Sequence, residues 1–286
     1  MARRLPIIDS HVHFYDRSRP EGVLWPPDNG EYPSRACPDD LFQFAPAQGI
    51  VGVVLIETGY RELDDQWLLK LAEQDSRILG VVANLQAAEE GFEKRLEACS
   101  RNPKLCGIRL RPIKLFDLNC SRLRTRLLGL SRHSLCLELG ATSPEKMSDY
   151  IELASALSNV PCGLTHLGHP LIDGKAPEER WAQQIMRFAT LPNTYCKLTA
   201  LREFTYASPP PENPDYYRPV LEFLLETFGE DRIVFGSNWP NGYSGDVYKD
   251  GIDLYQRLFK GQDRLLEKLF YHNSRRIYRL ECQTEN

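Results

Sequence analysis

Short apolar segments alternate with helix-forming segments along almost the whole chain, and this alternation constrains the fold more than any other feature. The clearest helical segment is 144–158, where Pro144 suits the first turn and apolar residues such as Tyr150 and Ala154 recur at helical spacing. Eight strands, most of them followed by helices, predict an α/β fold: a single-domain (β/α)8 TIM barrel over residues 1–286. The strands are predicted at 6–9, 51–56, 78–83, 105–110, 134–139, 162–166, 194–198 and 232–236, and the helices at 63–76, 87–101, 118–130, 144–158, 177–190, 215–228, 251–260 and 263–279.

A doubly wound open sheet is the alternative fold for the same alternation. That fold usually carries a glycine-rich turn after its first strand, whereas this chain has His11-Val12-His13 there. The barrel is therefore favoured. Two long connections, 14–48 and 201–216, follow strand ends and are predicted to cover one mouth of the barrel.

The formal net charge of −4 over 286 residues provides no electrostatic reason to expect binding to nucleic acid or to a membrane surface. The start of the chain lacks the pattern of a secretory signal, and the longest apolar run, Ile50 to Ile56, is too short to span a bilayer. The eight cysteines include no C-x-x-C pair, so they are expected to be reduced. These features predict a cytoplasmic protein and leave open whether it forms a homo-oligomer.

The segment Ile7-Ile8-Asp9-Ser10-His11-Val12-His13 combines a strand-forming apolar start with a His-x-His pattern. Side chains alternate across a strand, so His11 and His13 are expected to point to the same side, together with Asp9. Two neighbouring imidazoles suit either a divalent cation or paired groups that transfer protons and polarise a substrate.

Polar residues recur at the ends of the predicted strands, which is where the active site of a barrel of this kind lies. A binding or catalytic mouth explains such a set better than packing does. The residues are His11, His13, Glu57, Tyr60, Arg109, Arg111, Glu138, His166, Lys197, Asn238 and Trp239.

Taken with their order and spacing, several short motifs resemble the amidohydrolase superfamily, in particular its branch of sugar-acid and aromatic-acid lactonases. This branch includes L-rhamnonolactonase, L-fuconolactonase and pyrone-dicarboxylate lactonase. The resemblance implies a barrel fold and a hydrolase activity. The motifs are Ile8-Asp9-Ser10-His11-Val12-His13, Trp67-Leu68-Leu69, Gly80-Val81-Val82, Gly107-Ile108-Arg109, His166-Leu167-Gly168-His169-Pro170, Tyr195-Cys196-Lys197-Leu198, Phe235-Gly236-Ser237-Asn238-Trp239-Pro240 and Asn273-Ser274-Arg275-Arg276-Ile277-Tyr278.

The resemblance also implies roles for particular residues. His11 and His13 match a histidine pair that binds a metal in some members and works without one in others. His166 matches a histidine that acts as a metal ligand or polarises the substrate carbonyl, and Arg109 matches an arginine suited to a substrate carboxylate. The resemblance therefore implies either one divalent metal such as zinc on His11, His13 and His166, or a metal-free site.

Asn238 departs from the family pattern, which is written G-S-D-W-P with an aspartate at this position. That aspartate takes a proton from the attacking water and delivers it to the leaving oxygen. An asparagine amide has no useful basicity near neutral pH and is a poor metal ligand. Three explanations stay open: an engineered substitution, another base, for which Glu57 is the candidate, or loss of hydrolysis.

The predicted function is hydrolysis of a small sugar-acid or carboxylated lactone by attack of water on the ring carbonyl. The alternatives are a nonoxidative decarboxylase of the same superfamily and a catalytically inactive barrel that binds a small molecule. His169 is expected to be an exposed loop residue. The candidate catalytic residues are His11, His13, His166, Asn238 and Glu57, and the candidate substrate-binding residues are Arg109, Arg111, Tyr60, Lys197 and Trp239.

Overall fold

A computed structural model of the protein describes residues 5–59, 61–110, 120–140, 144–241 and 244–281. Each of the eight predicted strands overlaps a strand of the structure, although the first runs to Val12 rather than 9 and the strand predicted at 162–166 ends at Leu164. The strands are β1 (Ile7–Val12), β2 (Tyr15–Asp16), β3 (Arg35–Ala36), β4 (Ile50–Ile56), β5 (Ile78–Ala83), β6 (Leu105–Leu110), β7 (Cys136–Leu139), β8 (Cys162–Leu164), β9 (Thr194–Leu198) and β10 (Ile233–Phe235).

Strands β1 and β4–β10 form one parallel sheet in chain order, and backbone hydrogen bonds join its two ends into a barrel. The Asn238 N–H donates to the His11 carbonyl at 2.9 Å, and the His13 N–H donates to the Trp239 carbonyl at 2.8 Å. We call this join between His11–His13 and Asn238–Trp239 the seam. The predicted (β/α)8 barrel is confirmed, and the doubly wound alternative is excluded because an open sheet has no such closure.

Helices follow the barrel strands, and three of them differ clearly from the prediction. The helix predicted at 87–101 spans only Phe92–Cys99. Helix α8 starts at Gly245 rather than 251, because the Ser244 hydroxyl accepts the Val247 N–H and caps it. A π-helical turn at Lys268–His272 divides the predicted 263–279 helix. The helices are α1 (Pro38–Phe42), α2 (Glu62–Gln74), α3 (Phe92–Cys99), α4 (Ser121–Leu128), α5 (Pro144–Ala156), α6 (Glu179–Ala189), α7 (Arg218–Phe228), α8 (Gly245–Leu258), α9 (Asp263–Glu267) and α10 (Asn273–Tyr278).

Apolar packing on both sides of the barrel wall stabilises the fold. Inward-pointing residues such as Ile8, Val54 and Val234 pack with Tyr278 and Leu280, which close the bottom of the barrel. Outward-pointing strand residues pack against the helices in a second, larger cluster. Full burial of one such aliphatic side chain contributes about 1.5–3 kcal/mol. Apolar packing at the bottom of the barrel and outside its wall therefore leaves the top of the barrel to polar side chains.

No helix within the described ranges is long and apolar enough to cross a membrane.

Candidate active site

The end of β1 carries an extra residue relative to its partner strand. Asp9 pairs with Val53 and Val12 pairs with Leu55, so three steps along β1 match two steps along β4. A bulge of this kind breaks the strict alternation of side chains and re-aims the residues within it.

Because of this bulge, the prediction that Asp9 shares a side with His11 and His13 is wrong. The Asp9 carboxylate instead accepts hydrogen bonds from the Tyr248 hydroxyl and from the Ser237 N–H, both at 2.8 Å. It therefore ties α8 and the segment after β10 to β1. His11 and His13 do face each other, as predicted.

The two histidines of the seam form a polarised pair. His13 Nδ1 lies 3.1 Å from the carbonyl oxygen of Glu57 and 3.2 Å from that of Ile56. Carbonyls only accept, so this nitrogen carries the proton and His13 Nε2 is an acceptor. His11 Nε2, 3.1 Å away, therefore donates to it. His11 Nδ1 is left as a buried acceptor that has no hydrogen-bond partner among the described residues.

A strained backbone segment presents His166 at the end of β8. His166, Leu167 and His169 have φ values of 51°, 55° and 58°, in the left-handed region that bulky residues rarely adopt. The Thr199 hydroxyl oxygen accepts the His166 backbone N–H at 3.1 Å and lies 2.8 Å from its Nδ1. Thr199, which follows β9, thus fixes the orientation of this imidazole.

Arg109, on β6, connects two other predicted site residues. Its Nη2 lies 3.2 Å from His166 Nε2, and because a guanidinium only donates, this histidine nitrogen is an acceptor. Its Nη1 lies 3.6 Å from Oε1 of Glu57, a fully buried residue that follows β4. The structure therefore places Glu57 as the charge partner of Arg109.

Burial lowers the pKa values of the histidines, and neighbouring cations lower them further. The pKa of His11 lies well below its usual value because of burial and then the charge of Lys197. The pKa of His166 falls well below its usual value through burial and then Arg109, and the same two causes lower the pKa of His169 to about 4. These imidazoles are therefore neutral at pH 7 beside a positive guanidinium.

His169 belongs to this group, and the prediction that it is an exposed loop residue is wrong. Its side chain is half-buried, with its ring centroid 4.6 Å from that of Phe204 and 5.7 Å from that of His166. Phe204 lies in the long connection after β9, so this connection covers the histidines as predicted. On the other side, the Trp25 ring of the first long connection lies 4.7 Å from the His13 ring.

Asn238 is in contact with an acidic residue that the sequence analysis did not single out. Its side-chain Nδ2 donates to Glu203 Oε1 at 3.0 Å and to Oε2 at 2.8 Å, and Asn241 Nδ2 donates to Oε2 at 3.2 Å. Asn238 has a φ of 67°, a conformation that asparagine tolerates better than most residues. No sequence motif marks Glu203. The one sequence feature that pointed to it is its position in the connection 201–216, which was predicted to cover the mouth of the barrel.

Lys197 and Trp239 are fully buried in the barrel wall and interior. Lys197 Nζ donates to Glu138 Oε1 at 2.6 Å and to the Ser10 carbonyl at 2.7 Å. The Trp239 ring packs edge-on against Phe14, with centroids 5.7 Å apart. These contacts hold the barrel wall together. A residue that binds substrate needs an accessible surface, and neither Lys197 nor Trp239 has one in this structure.

The predicted site residues Tyr60 and Arg111 lie outside the described residues.

The positions of the three predicted metal ligands, His11, His13 and His166, can be compared with those that a divalent metal ion requires. His11 Nε2 and His13 Nε2 are 3.1 Å apart, close to the about 3.3 Å that separates two nitrogen ligands of a tetrahedral zinc ion. The third predicted ligand, His166, lies beside them, with its ring centroid 4.7 Å from that of His11, but its Nε2 accepts from the positive guanidinium of Arg109. Within the described residues no group of three or more His, Cys, Asp or Glu side chains is arranged to hold a metal ion. The residues therefore do not fit a metal held by three protein ligands.

Residues 8–280 match the family model described as amidohydrolase. The chain belongs to this family. A curated relative, L-fucono-1,5-lactonase of Burkholderia ambifaria, is 26% identical over 249 residues, which cover 84% of this chain and 83% of the relative. The predicted hydrolase of the amidohydrolase superfamily is confirmed, as is the resemblance to its lactonase branch.

Solved structures share the fold at low identity. An amidohydrolase from Burkholderia multivorans with bound zinc has a TM-score of 0.82 and 22% identity, covering 96% of this chain and 100% of the other. A probable 2-pyrone-4,6-dicarboxylic acid hydrolase from Acinetobacter baumannii with bound citric acid has a TM-score of 0.75 and 17% identity, covering 96% and 99%. At these identities the likeness shows the barrel fold alone.

Proposed function

We propose that this amidohydrolase opens a small lactone by attack of water on the ring carbonyl, and that the substrate is a sugar-acid or carboxylated lactone. The observation that carries the proposal is the arginine at the mouth of the barrel. Arg109 lies against the neutral His166 and is held from behind by the buried Glu57. The name of the curated relative, a fuconolactonase, supports the lactone as the substrate class.

Lactone hydrolysis passes through a tetrahedral oxyanion, which fixed hydrogen-bond donors stabilise. A guanidinium carries five N–H donors in a planar fork, so Arg109 can hold Glu57 and donate to a substrate oxygen. In the proposed mechanism Arg109 binds the developing oxyanion or a substrate carboxylate. His166, whose Nδ1–H is directed to Thr199, accepts from Arg109 through its Nε2 and so helps to hold the guanidinium at the mouth.

The histidine pair of the seam has a separate role in the proposal. Because His11 donates to His13, the two imidazoles are held in a fixed orientation beside His166, whose ring centroid lies 4.7 Å from that of His11. The Asn238 amide has no useful basicity, and burial holds the pKa of His11 well below its usual value, so neither group is suited to removing a proton from water at neutral pH. The mechanism routes no step through a metal.

The test is a panel of 1,4- and 1,5-sugar lactones, a pyrone dicarboxylate and a hydroxybenzoate, with acid release and carbon dioxide both measured. We expect acid release from at least one lactone. Arg109→Lys should lower kcat/KM about 10–100-fold, because it loses a charge-assisted hydrogen bond of about 1.5–3 kcal/mol. Arg122→Lys, an exposed change on α4, is the matched control and should have no effect.

Two results would contradict the proposal. Carbon dioxide from the hydroxybenzoate, without lactone opening, would make the protein a decarboxylase. Tight lactone binding without turnover would make it an inactive binding barrel.

A further inference from the structure

Glu203 is held at the mouth of the barrel by amide donors. Asn238 Nδ2 contacts both of its carboxylate oxygens, at 3.0 and 2.8 Å, and Asn241 Nδ2 adds a contact at 3.2 Å. The Asn241 amide oxygen in turn accepts the Tyr32 hydroxyl at 2.7 Å. Residues from three segments, 14–48, 201–216 and the loop after β10, therefore fix one carboxylate.

The surroundings of this carboxylate make it hard to ionise while leaving it reachable. Glu203 is an exposed residue, and partial desolvation of its carboxylate by the protein around it raises its pKa to about 7, which the two amide hydrogen bonds only partly offset. Among the described residues, the groups that face it are the two amides and the phenol of Tyr32, whose pKa is raised first by burial and then by the charges of Glu203 and Glu31. A carboxyl group with a pKa near the working pH is suited to both removing and returning a proton.

The position of Glu203 relates it directly to the histidines. Asn238, which holds it, donates its backbone N–H to the carbonyl of His11 across the seam. Phe204, the next residue in the chain, packs against the rings of His169 and His166. Glu203 is thus the neighbour in the chain of Phe204, which covers His166 and His169.

The geometry points to Glu203 as the general base and acid of this site, with Asn238 as the residue that positions it. The inference rests on the proposed lactone hydrolysis and supplies its missing proton carrier. Glu203 takes a proton from the water whose oxygen bonds to the ring carbonyl carbon. As the ring carbon–oxygen bond breaks, the proton passes to the leaving alkoxide oxygen, and the product is a hydroxy acid.

This assignment explains why residue 238 is an amide. An aspartate there would bring two carboxylates within about 3 Å, an arrangement in which both cannot be ionised together. An asparagine instead donates to the carboxylate and keeps it in place. In this chain the proton-carrying group has moved from the last barrel strand to the connection after β9.

The first test is Glu203→Gln, with Glu212→Gln, an exposed change in the same connection, as the matched control. For wild type we expect kcat/KM for the best lactone to rise with pH through about 7 and then level off, because only the ionised carboxylate accepts a proton. Glu203→Gln should lower kcat/KM about 10²–10⁴-fold and abolish this rise. A retained rise in the Gln variant would overturn the assignment.

The second test exchanges the two groups. Asn238→Asp combined with Glu203→Gln returns the carboxylate to the last strand and leaves an amide opposite it. We expect the double variant to recover at least tenfold in kcat/KM over Glu203→Gln alone. If Glu203→Gln were inactive only because it was misfolded, the exchange would not rescue it, and circular dichroism of both variants would show the loss of structure.

A third measurement separates this inference from the proposed function. Difference infrared spectra of wild type and Glu203→Gln follow the Glu203 carboxyl group without any substrate. If wild type opens no lactone, the proposed function fails, and a carboxyl that titrates near pH 7 still supports Glu203 as the proton carrier of the site. A carboxyl that titrates in the ordinary glutamate range would overturn the assignment whatever the substrate.

Discussion

Two glutamates of this barrel show how one residue type is given opposite roles. Glu138 lies inside the barrel, fully buried, where its Oε1 accepts from Lys197 at 2.6 Å and from the Tyr278 hydroxyl at 2.7 Å. Glu203 lies at the mouth, is exposed, and among the described residues accepts hydrogen bonds from the amides of Asn238 and Asn241. A cation neutralises the first carboxylate, whereas the second has a raised pKa. The comparison teaches that the charge of the partner and access to water decide whether a carboxylate of this barrel is structural or reactive.

The largest effect should come from removing the cation of the interior pair. Lys197→Met leaves the Glu138 carboxylate buried without its charge partner, and we expect the free energy of unfolding to fall by about 3–5 kcal/mol. Urea unfolding measures it, with the exposed Lys175→Met as control. Adding Glu138→Gln to Lys197→Met should recover part of the loss. If the free energy of unfolding of Lys197→Met were unchanged, the burial of the Glu138 carboxylate would not depend on the charge of Lys197.

A smaller effect is expected from the neutral donor to the same carboxylate. Tyr278→Phe removes one hydrogen bond to Glu138 and keeps the ring that closes the barrel bottom. A hydrogen bond to a charged group contributes about 1.5–3 kcal/mol, so thermal or urea unfolding should show a loss of that size. Tyr206→Phe, on a largely exposed side chain, is the matched control. A loss as large as that of Lys197→Met would contradict the view that the cation dominates this pair.

The smallest effect concerns Glu203, whose exposure to solvent limits its contribution to stability, and it depends on pH. Its pKa is raised in the folded protein from 4.5 to about 7, so the folded state binds the proton more tightly than the unfolded chain. Stability therefore falls as pH rises from about 4.5 to 7, and Glu203→Gln should lose this dependence. The free energy of unfolding of both proteins, measured on both sides of this window, provides the check. If the free energy of unfolding changed with pH in the same way in wild type and in Glu203→Gln, Glu203 would not have a raised pKa, and the comparison with Glu138 would fail.

Much of the site was visible in the sequence because it follows from strand order. Residues at the ends of neighbouring parallel strands must meet at one mouth, and His11, His13, Arg109 and His166 do so. The departure at Asn238 was also visible, since it interrupts a motif.

Other features depended on contacts that no local pattern encodes. The alternation rule failed at Asp9 because a bulge in β1 changes the register against β4. His169 was predicted to be exposed because nothing in its own segment shows that Phe204, from a distant connection, packs on it. Glu203 carries no motif, and its importance appears only where Asn238 and Asn241 converge on it.

The sequence by itself determined the barrel, since the alternation of apolar strands and helices allows few closed arrangements, and it determined the histidines at the mouth. Only the tertiary structure decided the charges: which carboxylate is paired with a cation, which imidazole faces the guanidinium, and which glutamate replaces the missing aspartate. The physical reason is that protonation depends on burial and on neighbours within a few ångströms, and those neighbours come from segments far apart in the chain.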